Sequence, residues 1–110
     1  MKPTKPEDTS HSELTATSVK ISWTLGQDGG LEQTIHVQYR RENDTDWTTE
    51  NVPASGGQTY LVIATLIPGT VYQYQLYASN EIGASETTPI LYFVTPDGKP
   101  NTFLFYIYRS

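Results

Sequence analysis

The chain has 110 residues, no cysteine and a formal charge of -5 from 7 basic and 12 acidic side chains. That length suits one domain with a single core, and the lack of cysteine excludes a disulfide scaffold, a zinc ribbon and a thiol enzyme. The acidic balance argues against nucleic acid, whose phosphates need a basic face, and the chain has no run of about 18 apolar residues that would cross a membrane.

Met1-Lys2-Pro3-Thr4 lacks the apolar stretch of a signal peptide, so any secretion signal is expected upstream in a longer parent or already removed. Thr, Ile, Val and Tyr supply 37 of the 110 residues against 5 Ala and 1 Met. That bias favours an all-β domain.

In chain order, residues 1–13 are polar and carry Pro3 and Pro6, so they read as a lead-in with at most a short edge strand. Ser18–Thr24 is the first strong strand, with Val19, Ile21 and Trp23 alternating against polar neighbours. Gln27–Gly30 breaks it. Ile35, Val37 and Tyr39 alternate against His36, Gln38 and Arg40. A charged turn over 41–46 leads to a short strand, Trp47–Val52, ended by Pro53. Tyr60–Leu66 is apolar and β-branched, and Pro68-Gly69 after it favours a strand. Tyr72, Tyr74, Leu76 and Ala78 alternate next, Asn80–Ser85 turns at Gly83, and Pro89–Thr95 is the last strand of the set. Short strands spaced by roughly ten residues, with turn signals between them, are the pattern of an antiparallel sandwich. The expected core is Val19, Ile21, Trp23, Ile35, Val37, Tyr39, Leu61, Ile63, Leu66, Tyr72, Tyr74 and Leu76.

Little in the sequence points to catalysis or cofactors. His11 lies in the polar lead-in and His36 alternates away from the Val37 face, so both read as solvated. Two separated histidines without cysteine give no metal-ligand cluster, and Asp44 and Asp46 read as turn residues rather than ligands of a hard cation. Gly29-Gly30 and Gly56-Gly57 lack the spacing of a phosphate loop. Trp23 belongs to the core, while Trp47 follows a charged turn and is a candidate for packing over the sheet edge or stacking on a ligand. Asn43-Asp44-Thr45 is an N-glycosylation sequon in a predicted loop.

Leu66-Ile67-Pro68-Gly69-Thr70-Val71-Tyr72 reads Leu-x-Pro-Gly-Thr-x-Tyr and resembles the tyrosine corner of a fibronectin type III domain. Trp23 on the second strand, Ile35-x-Val37-x-Tyr39 on the third, and Tyr74-x-Leu76-x-Ala78-x-Asn80-x-x-Gly83 on the sixth fall in that family's order over about residues 3–96. The resemblance implies a seven-stranded antiparallel immunoglobulin-like β-sandwich over 1–96. Trp23, Leu66, Pro68, Gly69 and Tyr72 would be its structural residues, with the Tyr72 hydroxyl bonded to backbone near Leu66 or Ile67. Asp28-Gly29-Gly30-Leu31-x-Gln33 and Ala78-Ser79-Asn80-Glu81-x-Gly83 are similar to fibronectin modules of immunoglobulin-superfamily adhesion receptors such as nephrin and its relatives.

The resemblance implies a non-catalytic extracellular or cell-surface module that makes protein–protein contacts, part of the ectodomain of a longer membrane protein. The alternative is a linker module of a secreted multidomain enzyme such as a glycoside hydrolase. In the family pattern the loops Gly26–Glu32 and Asn80–Glu86 cluster at one end. Asp28, Gly29, Gly30, Glu32, Glu81 and Glu86 are therefore the candidate binding residues, and their charge favours a basic protein partner.

Residues 97–110 depart from the family. Thr102–Tyr108 is uncharged, free of proline and high in strand propensity. Phe103, Phe105 and Ile107 form a candidate strand-exchange segment that could join copies of the chain.

Overall fold

The computed structural model describes residues 1–98, so the candidate strand-exchange segment with Phe103, Phe105 and Ile107 lies outside the described residues. Seven strands follow one another: β1 (Glu7–Ser12), β2 (Val19–Thr24), β3 (Thr34–Arg41), β4 (Thr48–Pro53), β5 (Tyr60–Ile63), β6 (Val71–Ser79) and β7 (Leu91–Val94). A single 3-10 turn, Ala54–Gly56, joins β4 to β5. The strands form two antiparallel sheets, a three-stranded one in the order β1-β2-β5 and a four-stranded one in the order β4-β3-β6-β7. This is the expected sandwich.

The period-two alternation settles the faces of β2, β3 and β6. Val19, Ile21 and Trp23 of one sheet meet Ile35, Val37, Tyr39, Tyr72, Tyr74 and Leu76 of the other across the buried interior. Ile63 and Leu66 are buried as expected, whereas Leu61 packs on the core margin and stays half-exposed because β5 is an edge strand covered on one side only. Val52, Ala78 and Phe93 complete the core, and the sequence reading had not chosen them.

β2 is one residue shorter than expected, and β5 and β7 are shorter by three each. β5 stops at Ile63, the residue opposite the first residue of β2, Val19. The chain then turns so that the Leu66 amide donates to the Thr17 carbonyl at 3.0 Å. β7 starts at Leu91, which pairs with Tyr74, and before it the Thr88 Oγ1 accepts the Leu76 amide at 2.9 Å.

Tyr72 closes the corner between β5 and β6. The Tyr72 ring is buried and its hydroxyl oxygen accepts the Ile67 amide at 2.8 Å. Gly69 has φ +63, a conformation that side chains with a Cβ rarely adopt, and its amide donates to the Pro96 carbonyl at 2.9 Å. Buried Thr95 ties the final strand to the same corner: its hydroxyl donates to the Ile67 carbonyl at 2.7 Å and accepts the Thr70 amide at 2.9 Å.

Candidate functional site

The antiparallel order of β2, β3 and β6 sends the loops Gly26–Glu32 and Asn80–Glu86 to one pole. Asn80 joins them. Its Nδ2 donates to the Asp28 carbonyl at 2.9 Å, while its Oδ1 accepts the amides of Ile82 at 2.8 Å and Gly83 at 3.2 Å. A carboxamide suits this place because it donates and accepts at the same time. Asp28 shapes its own loop, its Oδ1 accepting the Gly30 amide at 2.8 Å in an Asx turn.

The N-terminal residues line this pole. Thr4 exchanges two bonds with Gln27, its amide donating at 2.8 Å and its Oγ1 accepting at 2.7 Å. Asn80 Nδ2 also donates to the Met1 carbonyl at 2.6 Å. Gly29 has φ +71 and passes so close to Met1 that a Cβ there would land on the Met1 carbonyl. Glycine at this position therefore serves a close backbone approach more than free movement of the loop.

Glu32, Glu81 and Glu86 are exposed. Lys2 and Lys5 line an open groove of about 700 Å³ with Ile82 and Glu86, so the acidic surplus is smaller than the loops alone suggested. Ile82 in this groove is 64% exposed.

The outer face of the four-stranded sheet carries an arrangement that the sequence reading missed. Side chains there are linked into three rungs across the strands. In the first, Arg40 Nε donates to Gln73 Oε1 at 2.8 Å, and its guanidinium lies 4.1 Å from the Trp47 ring centre. In the second, Gln75 donates to Gln38 at 2.8 Å and Gln38 donates to Thr49 at 3.3 Å. In the third, His36 stacks on Tyr77 with ring centres 4.4 Å apart. Each rung follows the strand register, which pairs Arg40 with Gln73, Gln38 with Gln75 and His36 with Tyr77. Single-strand alternation shows that these residues point outward and not which of them meet.

His36 is thus half-buried in a polar contact set rather than freely solvated. Its Nδ1 lies 2.6 Å from Asn51 Oδ1 and its Nε2 2.6 Å from Ser79 Oγ. Hydroxyl, imidazole and carboxamide stand in the order that hydrolytic triads use. The surroundings do not support that chemistry. Asn51 carries no charge to stabilise an imidazolium, and the surrounding strand backbone is committed to sheet pairing at Thr34–Ser79 and His36–Tyr77. His11 is exposed, yet its Nδ1 lies 2.9 Å from the buried Tyr74 hydroxyl and its ring meets those of Tyr74 and Phe93. Burial pushes the Tyr74 phenol up to about 12.

Asn43 is exposed in the turn between β3 and β4, at the pole opposite the paired loops. Asp44 is committed to Arg41, whose Nε and Nη2 donate to its two oxygens at 3.1 and 3.2 Å, and this hydrogen bonding holds the Asp44 carboxyl below its ordinary range. Among the described residues no group of His, Asp and Glu is arranged to hold a metal ion.

Comparison with known proteins agrees with this architecture. Residues 4–94 match the family profile described as "Fibronectin type III domain". Human "Protein turtle homolog B" is 35% identical over 81 residues, which is 72% of this chain and 6% of that protein. Chicken "Cell adhesion molecule DSCAM" is 30% identical over 104 residues, 89% of this chain and 5% of that protein. The chain therefore spans about one twentieth of the length of these relatives. Among solved structures, "Crystal structure of chicken CNTN1 FN1-FN3 domains" superposes with a TM-score of 0.76 at 20% identity, covering 86% of this chain and 33% of that one. By profile, sequence and fold alike, the chain belongs to the fibronectin type III family and resembles the modules of adhesion receptors.

Proposed function

We propose that this chain is a non-catalytic extracellular module of a cell-surface adhesion or receptor protein, and that it engages a protein partner through the pole formed by Gly26–Glu32 and Asn80–Glu86. The observation that carries the reading is the Asn80 bridge to the Asp28 carbonyl, which makes one surface of two loops far apart in sequence. A surface fixed before binding loses less conformational freedom on docking. Exposed Ile82 supplies apolar area in the groove, and the exposed Asp28, Glu32, Glu81 and Glu86 of the two loops outnumber Lys2 and Lys5. A partner surface with basic residues complements that balance. The resemblance to chicken "Cell adhesion molecule DSCAM" supports the setting. Asn43, exposed on the opposite pole, would carry its glycan clear of the contact.

Tetramers of the full chain screened against an array of receptor ectodomains test this reading. Binding that weakens with salt and is lost when Glu32, Glu81 and Glu86 are all replaced by Lys supports the pole. Binding that survives the triple replacement removes it.

A further inference from the structure

We infer that Asn43 carries an N-linked glycan whose first sugar, an N-acetylglucosamine, is seated in the cleft between the β3–β4 turn and the β5–β6 corner. The inference rests on the extracellular setting of the proposed function and not on its loop pole, so the two can fail separately. Asn43-Asp44-Thr45 is the one Asn-x-Ser/Thr sequence in the 110 residues. Side-chain bonding also sets Asn43 apart from the other described asparagines. Asn51 Oδ1 lies 2.6 Å from His36 Nδ1, and Asn80 bonds through both of its polar side-chain atoms. Asn43 is exposed, and its carboxamide takes part in no hydrogen bond among the described residues.

The anchor is fixed on two sides. The Asp44 amide donates to the Arg41 carbonyl at 3.0 Å, which makes Glu42 and Asn43 the middle residues of a β-turn. The Glu42 amide donates to the Val71 carbonyl at 3.0 Å and ties that turn to the start of β6. Asn43 there lines an open cleft of about 420 Å³ with Arg41, Glu42, Gly69, Thr70 and Val71. That volume stands at the small end of ligand clefts, the scale of a sugar rather than of a folded partner.

The lining matches the chemistry of this sugar. Its pyranose ring has an apolar face and a rim of hydroxyls, and its acetamide adds a carbonyl. Half-buried Val71 and the bare backbone of Gly69 offer the apolar side. Arg41 gives Nε and Nη2 to Asp44 and keeps further N–H donors for a carbonyl. Glu42, which forms no ion pair among the described residues, and the Thr70 hydroxyl oxygen can accept from sugar hydroxyls. So open a cleft holds a free sugar weakly. Attachment at its rim makes the contact intramolecular, with an effective concentration on the order of millimolar or above.

In the attachment step Asn43 Nδ2 bonds to C1 of the first sugar of a lipid-linked oligosaccharide diphosphate. The C1–O bond to the diphosphate breaks, the lipid diphosphate leaves with that electron pair, and one Nδ2 proton passes to a base of the transferring enzyme.

Secretion of the full chain from animal cells, behind a cleavable leader, tests attachment and seat in turn. The intact mass should exceed the sequence mass by an oligosaccharide. Peptide-N-glycanase in heavy-oxygen water should remove the excess and leave its label at residue 43. Asn43→Gln and Thr45→Ala should each abolish the addition, while Thr45→Ser keeps it. In NMR spectra of the glycosylated chain, protons of the first sugar should show cross-relaxation with the Val71 methyl groups. A chain that is secreted folded, by its dispersed amide spectrum, yet carries no glycan overturns the inference. A glycan whose first sugar shows no cross-relaxation with Val71 overturns it as well, because the sugar then stands in solvent.

Discussion

Ile67 gives its amide to the Tyr72 hydroxyl at 2.8 Å, a bond that spans five residues and closes the turn between the two sheets. The other backbone group of Ile67, its carbonyl, takes the Thr95 hydroxyl at 2.7 Å. One residue with an exposed side chain thus has both main-chain groups held by buried side chains, one from β6 and one from the residue after β7.

Tyr72→Phe keeps the ring in the core and removes the acceptor. The expected cost is about 1–2 kcal/mol, because the partly buried Ile67 amide is left to find a poorer partner. Urea unfolding should show a lower midpoint with an unchanged slope. A midpoint equal to wild type would mean that the hydroxyl contributes nothing to the corner.

Thr95→Val preserves shape and deletes an oxygen that serves both Ile67 and Thr70. The expected loss is about 1–3 kcal/mol. Combined with Tyr72→Phe the two losses should not add, since both substitutions act through Ile67.

The register of β5 separates two neighbouring aliphatic residues. Ile63→Ala should cost about 2–5 kcal/mol, as for other buried isoleucines. Val62→Ala, at a side chain 53% exposed, should stay within about 0.5 kcal/mol. Reversal of that order in thermal unfolding would place the strand one residue out of register.

Alkaline titration reports on Tyr74. Its phenol is raised by burial from 10.0 to about 12, so the folded chain holds that proton longer than the unfolded chain does. The stability that this contributes is fully present below pH 10 and is lost as pH rises from about 10 toward 12. Tyr74→Phe should flatten the decline over that window, measured by urea unfolding at a series of pH values. The comparison is of slopes, because the substitution also removes the contact with His11.

Asn80→Ala deletes the link between the two loops. The amides of Ile82 and Gly83 should exchange faster with deuterium, while those in the centre of β6 keep their protection.

The sequence was most informative where one face of a strand is apolar and the other polar. β2, β3 and β6 alternate cleanly, and their inward residues follow without ambiguity. Phe93 escaped notice because Ile90, Leu91, Tyr92, Phe93 and Val94 are all apolar or aromatic, so alternation gives no parity there. Val52 was missed as a lone apolar residue among Thr48, Thr49, Glu50 and Asn51 on an edge strand. His11 looks solvated in a polar segment, yet β1 folds back so that its ring reaches Tyr74 and Phe93 of the opposite sheet. The loops of the candidate pole were legible as turns, but their joining by Asn80 depends on contacts 52 and 79 residues apart in the chain, which no local pattern encodes.

The three rungs also bear on how the chain reaches its fold. Sliding β3 against β6 by two residues would leave every inward side chain inward, so burial alone barely distinguishes that error from the native pairing. The slip would set Arg40 opposite Gln75 and Gln38 opposite Tyr77, breaking the Gln73, Gln75 and Tyr77 partnerships together. The polar outside of the sheet thus rejects a misalignment that its greasy inside would accept, and specifies the frame in which the core is assembled.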